Sequence, residues 1–486
     1  MREILFASSF FYKLDPKQWS FQRPYPPLGT LLAASVVRGL GFKVSLFDAS
    51  LASSPDEIGA SLKQKKPSMV VIYDDGFNYL TKMCLTVMRE AVFSMIRLSK
   101  KNGSIVIVCS SDATDHYEKY LTEGADFIVR GEGEDTLKQL LLALKENLPL
   151  EKVSGLAFTK DHQTLVTADR PVLRNLDELP LPAWDLLDIE SYRSIWLKQH
   201  NYFSLNVATT RGCPYKCNWC AKPIYGNRYN SRSPQRVVDE IQFLVNAYGI
   251  EHAWMCDDIF GLKPGWLHAF RQEVKTRNLK FRYTIQSRVD LLLQEDAIEA
   301  LAESGAETIW VGAESGSQKI LDAMEKGTTV KQIYAASRLI QQKGMKLAFF
   351  LQFGYPGEVK EDIDATLKMV LDLMPDDIGI SVSYPLPGTK FHEAVKSQFK
   401  SKQNWSDSDD LAMMFQNTYP PAFYKILYHY VHCRYRLKRG VNQAIVWMEK
   451  PLAALPPFRK ILSVPFYFLS SAFYGYQLKR IPLHEA

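Results

Sequence analysis

Two successive series of short β-branched runs, each run followed by a helical stretch, constrain this chain more than any other feature. The first series has strand-like segments at residues 4–8, 44–47, 69–73, 105–109 and 127–130, all rich in Val, Ile and aromatic residues. Between the first two, Leu28, Leu32, Val36 and Leu40 fall on one helical face. Strand, helix and strand at this spacing predict a doubly wound, Rossmann-like α/β domain with a mostly parallel sheet over residues 1–150. Such a sheet binds ligands at the carboxyl ends of its strands, here the loops 8–13, 73–76, 110–113 and 130–134. Residues 151–200, with Leu-Pro-Leu-Pro at 179–182, are expected to be a linker. The second series places strands at 205–209, 253–256, 281–286, 308–312, 347–353 and 378–383, alternating with helices such as 234–247, 296–304 and 360–373. Six such units predict a partial (β/α)6 barrel over residues 201–395, with its chemistry at the carboxyl ends of the strands. From 396 to 486 the pattern turns mainly helical. A chain of 486 residues exceeds one ordinary core, in keeping with this division.

Charge and cysteine usage narrow the function classes. The net charge of +6 is small and its residues are interspersed, so no nucleic-acid footprint is visible. An odd count of seven cysteines, three of them within eight residues, argues against a secreted disulfide framework and for a reducing compartment with a metal centre. The N-terminus has no signal-peptide layout, and a cytoplasmic location is expected. Residues 461–477 carry no charge and are flanked by Arg459, Lys460, Lys479 and Arg480. A bilayer span needs ~20 apolar residues, so this stretch, interrupted by Pro465, predicts a buried or interfacial helix. The tail is thereby a candidate for peripheral membrane contact.

The clustered cysteines lie in Thr210-Arg211-Gly212-Cys213-Pro214-Tyr215-Lys216-Cys217-Asn218-Trp219-Cys220, directly after a predicted strand. Three thiolates on a tight Gly/Pro loop can wrap one face of an iron–sulfur cubane, with Cys213, Cys217 and Cys220 as ligands. No fourth cysteine stands nearby, which leaves one iron open to a small ligand. A structural zinc site would need four protein ligands, and the next candidates, His252 and Cys256, belong to another strand.

This C-x3-C-x2-C loop, with an aromatic residue before its last cysteine and placed after the first strand of a partial barrel, resembles the radical S-adenosylmethionine superfamily over roughly residues 200–390. The resemblance implies that the open iron chelates the methionyl amine and carboxylate of S-adenosylmethionine, whose reductive cleavage yields a 5′-deoxyadenosyl radical. It further implies S-adenosylmethionine contacts from Trp219, from Asp257 and Asp258 after the second strand, from Arg288 after the third, and from Glu314 and Ser315 after the fourth. The run Leu321-x-x-Met324-x-Lys326-Gly327-x-Thr329 strengthens the match, and Phe353-Gly354-Tyr355-Pro356-Gly357-Glu358 falls where the family packs near the adenine.

The N-terminal domain, with Tyr25-Pro26-Pro27-Leu28-Gly29 and Arg130-Gly131-Glu132-Gly133-Glu134, resembles the cobalamin (B12)-binding branch of that superfamily. The resemblance implies cobalamin contacts from Ser9, Tyr73, Ser110, Ser111, Gly131 and Glu132. The Asp-x-His-x-x-Gly signature of many cobalamin domains is absent, so no protein histidine is expected beneath cobalt; His116, the domain's one histidine, reads as a surface helix residue. A Gly-x-Gly-x-x-Gly loop after the first strand is also missing, which leaves a dinucleotide without support. The expected activity is methyl transfer to an unactivated carbon or a phosphinate phosphorus, with a 4Fe–4S cluster, S-adenosylmethionine and cobalamin as cofactors. An alternative is oxidative ring closure without methyl transfer, as in the anaerobic magnesium-protoporphyrin monomethyl ester cyclase-like group, which residues 404–418 resemble. A non-catalytic cluster- and cobalamin-binding sensor or electron carrier would have no use for the strand-end motifs. Methylthio transfer would call for a second cysteine set, and only Cys84 and Cys109 stand in the N-terminal domain. The expected partners are an electron donor such as flavodoxin or ferredoxin and a small-molecule substrate. The aromatic C-terminal region, with Met413, Met414, Phe415, Tyr424, Tyr428 and Tyr430, is either an ordinary helical core or a cover for a large hydrophobic substrate.

Overall fold

A computed structural model describes residues 3–481 apart from 75, 223, 295, 400, 401, 403 and 450–460. The first sheet contains β1 (Glu3–Ala7), β2 (Lys43–Phe47), β3 (Met69–Tyr73), β4 (Ile105–Cys109), β5 (Phe127–Val129), β6 (Leu156–Lys160) and β7 (Gln163–Val166), in the order β2-β1-β3-β4-β5-β6-β7. The first five are parallel, and β3 is buried along its whole length, as a sheet covered by helices on both faces requires. Helices Leu28–Gly39, Thr86–Lys101 and Glu134–Glu146 supply that cover.

The region expected to be a linker is more structured. β6 and β7 pair antiparallel and extend the first sheet beyond residue 150. They turn through Asp161 and His162, whose φ values of 49° and 62° are those of a two-residue hairpin turn. The exposed, polar sequence of β7 lacks the apolar alternation by which strands are recognised, while β6 buries Leu156, Ala157 and Phe158. Helix Ile189–His200 follows, and the linker character is confined to the residues between.

The second sheet contains β8 (Ser204–Val207), then, after a two-residue ladder of β9 (Thr210–Arg211) with β10 (Asn230–Ser231), β11 (His252–Met255), β12 (Arg282–Ser287), β13 (Ala306–Glu314), β14 (Lys346–Phe353) and β15 (Asp377–Val382). The order β15-β14-β13-β12-β11-β8 is parallel throughout and unclosed, which is the expected partial barrel. The open flank of β8 is met by the N-terminal domain: Asn206 donates to the Pro26 carbonyl at 3.0 Å, and the Tyr25 ring packs 4.8 Å from that of Trp254. One apolar core therefore runs from Leu5 to Tyr435 across both domains.

Residues 404–418 strap the two domains together. The amides of Thr86 and Val87 donate to the carbonyls of Trp405 and Ser406, and Ser408 donates to Asp15 through both its amide and its hydroxyl. Trp405 is buried against Tyr384, and Asn417 donates to the Gly354 carbonyl beside the barrel mouth. Helices Pro421–Glu449 and Val464–Arg480 complete the described chain, and no described helix is long and apolar enough to cross a membrane.

Candidate functional site

The cysteine loop starts where β8 ends, and a buried carboxylate sets its course. Asp257, following β11, accepts from the amides of Thr209 and Thr210 at 2.7 and 2.8 Å and from the Thr209 hydroxyl. Burial pushes its carboxyl up to about 7 in spite of these bonds. Gly212 then adopts a φ of 77°, and a side chain there would stand 2.4 Å from the Arg228 carbonyl oxygen, so only glycine makes this turn. Lys222 closes the far side by donating to the Tyr215 carbonyl and, at 2.8 Å, to Asn227.

None of the three thiols is in a disulfide. Cys213 is buried beside Ile259 and Leu291, and burial, with a smaller contribution from Asp258, pushes its thiol up. Cys217 faces two buried cations. Arg288 Nη1 donates to its Sγ at 3.9 Å while the same guanidinium pairs with Asp290 at 3.0 Å and lies 3.7 Å from the Tyr215 ring. Lys326 donates to Glu314 at 2.7 Å and sits 5.8 Å from the Trp219 ring. Burial disfavours the Lys326 charge, but Glu314 and Cys217 outweigh it and hold the ammonium above its ordinary value. The Trp219 indole N–H is buried without a partner among the described residues.

Of the residues singled out in the sequence, Arg288, Glu314 and Trp219 therefore gather around Cys217. Asp258 is half-buried at the β11 end. Asp257 lies beneath the loop with both its oxygens taken, and the Ser315 hydroxyl is turned to Thr366 and to the Ser317 amide. Glu314 stands at a bulge of β13 with a φ of 57°, a backbone outlier of the kind that clusters at functional sites.

Asn218 was not foreseen. Its amide donates to Met324, its side chain donates to Ala323 and accepts from Tyr355, and its carbonyl accepts from Phe391. It thus ties the middle of the cysteine loop to the opposite side of the barrel. Glu358 was noted only as part of a motif; it is fully buried, accepts from the Gly354 amide at 2.6 Å, and is pushed up to about 8 by burial. Its second oxygen has no partner among the described residues.

In the N-terminal domain the crevice lies at the carboxyl ends of β3, β4 and β5. It is lined by Tyr73, Asp74, Cys109, Ser110 and Gly131, and barrel residues Ile224 and Tyr225 roof it. Ser9 reaches it through Asp74, to which its hydroxyl donates. Ser110 caps the helix Ser111–Asp115, and the Gly131 amide donates to Thr114. A side chain at Gly133 would come within 2.6 Å of the Cys109 sulfur and 2.7 Å of the Tyr73 hydroxyl. Glu132 points away from the crevice: its carboxylate accepts from the Leu173 amide and from Arg211. His116 is half-buried at a helix end, 3.8 Å from Asp112, rather than on an open surface.

Arg211 joins the two sites. It pairs with Glu132 and, at 2.7 Å, with Glu134, all three side chains being buried. Its guanidinium lies 5.6 Å from the Phe77 ring and 5.3 Å from the Tyr225 ring. Burial pushes the Glu132 carboxyl up against the opposing pull of Arg211.

These residues suit the groups that the sequence resemblance implies. Three thiols outside any disulfide, with two buried cations beside Cys217, match an anionic thiolate cluster with an open position. Among the described residues no three His, Cys, Asp or Glu side chains converge on a site for a single metal ion. A cubane binds each thiol through a different iron, so its thiols need not converge. Gly29, Gly76 and Gly131 line the crevice, and Ser8 and Ser111, next in the chain to Ser9 and Ser110, have buried hydroxyls with no partner among the described residues.

Comparison with known proteins identifies both domains. The radical SAM superfamily model matches residues 207–370 and the B12 binding domain model matches residues 20–141. An uncharacterized methyltransferase of Pyrococcus horikoshii is 32% identical over 78% of this chain and 81% of its own. An anaerobic magnesium-protoporphyrin IX monomethyl ester cyclase of Synechocystis is 27% identical over 76% of this chain and 72% of its own. Among solved structures, the cobalamin-dependent S-adenosylmethionine radical enzyme OxsB with aqua-cobalamin bound shares the fold, with a TM-score of 0.71 at 18% identity over 99% of this chain and 72% of that one.

Proposed function

The chain belongs to the radical SAM superfamily, with a B12-binding domain ahead of its barrel, and from that premise we propose that it is a methyltransferase acting on an unactivated carbon or a phosphinate phosphorus. Its cofactors are a 4Fe–4S cluster, S-adenosylmethionine and cobalamin. When bound, they supply a carbon-centred radical and a transferable methyl group. The observation that carries the reading is the shared wall between the two sites. Arg211, two residues before Cys213, is held by Glu132 and Glu134 of the N-terminal domain, and Tyr225 roofs the crevice from the barrel side. A substrate between them would meet both chemistries.

The chain's own residues bind, orient and exclude water. Cys213, Cys217 and Cys220 would hold the cluster, and Arg288 and Lys326 offset the negative charge that three thiolates bring into a buried site. Glu314, fixed by Lys326 at the bulge of β13, and the Trp219 indole N–H, which has no partner among the described residues and whose ring lies 5.8 Å from Lys326, would be hydrogen-bonding groups for S-adenosylmethionine. Asp257 and Asn218 position the loop from below and from across the mouth. Met413 and Tyr424 pack on Gly354 and keep the β14 side dry. Ser9, Tyr73, Ser110, Ser111 and Gly131 are the cobalamin contacts of this reading, and Glu132 serves through Arg211. A flavodoxin or ferredoxin would supply the electron.

The test is anaerobic turnover of the cofactor-loaded protein with methyl-deuterated S-adenosylmethionine. Label in the product supports methyl transfer, whereas 5′-deoxyadenosine formation with an unlabelled product supports oxidative ring closure. The second reading is favoured by residues 404–418, which strap the barrel mouth and resemble the cyclase-like group, and by the cyclase among the relatives.

A further inference from the structure

The last helix, Val464–Arg480, is apolar on two opposite faces. One face packs on the neighbouring helix: Tyr474 stacks on His429 with ring centroids 5.3 Å apart, Gly475 abuts Tyr430, and Ser471 is buried, although Phe468 at its edge is 60% exposed. The other carries Phe466, Leu469, Phe473 and Tyr476, spaced three and four residues apart and each 55–68% exposed. The neighbouring helix Pro421–Glu449 also leaves Ile445 and Met448 exposed towards its C-terminal end. Scattered exposed apolar residues need no explanation, but a continuous stripe of this kind marks an interaction surface.

The charge around the stripe indicates what covers it. The two helices hold seven cations, Lys425, Arg434, Arg436, Lys438, Arg439, Lys479 and Arg480, against the single acid Glu449; of these, Arg436 and Arg439 also face Asp377 and Lys438 faces Asp372 in the barrel. Arg480 lies 4.9 Å from the Tyr476 ring, so a cation borders the end of the stripe. A second copy of the chain would set these like charges against each other, whereas an anionic lipid surface complements them. No described helix is long and apolar enough to cross a bilayer, but this one suits a helix lying in the interface with Phe and Leu inserted.

We infer that the C-terminal helix pair docks the enzyme on the surface of an anionic membrane, with Phe466, Leu469, Phe473 and Tyr476 in the acyl boundary and Lys479 and Arg480 among the headgroups. This goes beyond the proposed reaction and holds whichever group is transferred.

The experiment is sedimentation of the full chain with vesicles of phosphatidylglycerol and phosphatidylcholine, or of phosphatidylcholine alone. The protein should pellet with the anionic vesicles and release in high salt. Phe466→Asp with Phe473→Asp should weaken binding at least tenfold by removing buried apolar area, and neutralising Lys479 and Arg480 should cost about fivefold per charge. Circular dichroism melting checks that the variants fold, and the salt dependence of the unaltered protein tests the inference without them. Recovery in the supernatant with both vesicle types overturns it. So does sedimentation equilibrium showing a dimer that the same substitutions dissolve, since a second copy would then cover the stripe.

Discussion

The barrel mouth and the N-terminal crevice lie on either side of Arg211, yet they present their chemistry in different ways. At the mouth, charged side chains face one another over the cysteine loop: Arg288 and Lys326 stand by Cys217, and Glu314 is poised on a strained strand end. At the crevice, most polar side chains serve the domain's own turns, and what lines the space is glycine backbone with the Tyr73 and Tyr225 side chains. The difference follows from the ligands. A cluster is held by a few directional thiolate bonds, which demand particular side chains, whereas a large planar corrinoid is held by shape and close backbone approach.

Breaking the mouth should separate the two sites most sharply. Cys213→Ala, Cys217→Ala or Cys220→Ala should abolish cluster assembly and S-adenosylmethionine cleavage while cobalamin binding persists; iron, sulfide and cobalt counts on anaerobically loaded protein check this. Loss of cobalt along with iron would mean that the crevice depends on the loop. Next in size, Arg211→Met would strand Glu132 and Glu134 in the seam, and leaving buried charges unpaired costs about 3–5 kcal/mol. Denaturant unfolding should show that loss, with partial recovery on adding Glu132→Gln and Glu134→Gln.

Gly133→Ala probes the crevice alone. Its methyl group would crowd Cys109 and Tyr73, an overpacking expected to cost about 1–3 kcal/mol, and it should weaken cobalamin binding measured by absorbance titration without changing the iron count. A further effect, read through pH, concerns Glu358, which is held near 8 against an ordinary value of 4.5. A carboxyl raised in the folded state keeps its proton after the unfolded chain has lost it. Its contribution to stability is therefore full below pH 4.5 and lost as pH rises towards 8. Glu358→Gln retains an oxygen for the Gly354 amide and should flatten that decline in a series of melts across this range.

Much of this was legible in the sequence. The parallel cores of both sheets, the glycine turn at Gly212 and the three thiols are local signals: β-branched runs, a motif within eleven residues, and a spacing that wraps a cluster. The edge hairpin at Asp161 and His162 was not, because an exposed strand owes its pairing to its neighbour rather than to its own pattern. Asn218 also escaped notice. Its partners Ala323, Tyr355 and Phe391 are remote in sequence, and an asparagine between two cysteines has no local mark of such a role.

The carboxylates show where the division falls. By itself the sequence determined that Asp257, Asp258, Glu314 and Glu132 stand at strand ends, because strand ends follow from local patterning. Only the tertiary structure decided their tasks. Asp257 is spent on Thr209 and Thr210, Glu132 on Arg211 and Leu173, and Glu314 is left facing the mouth beside Lys326. A buried carboxylate must be satisfied by whichever donors the fold brings to it. The donors to Asp257 and Glu132 arrive from 41 to 79 residues away, a separation that no local pattern encodes.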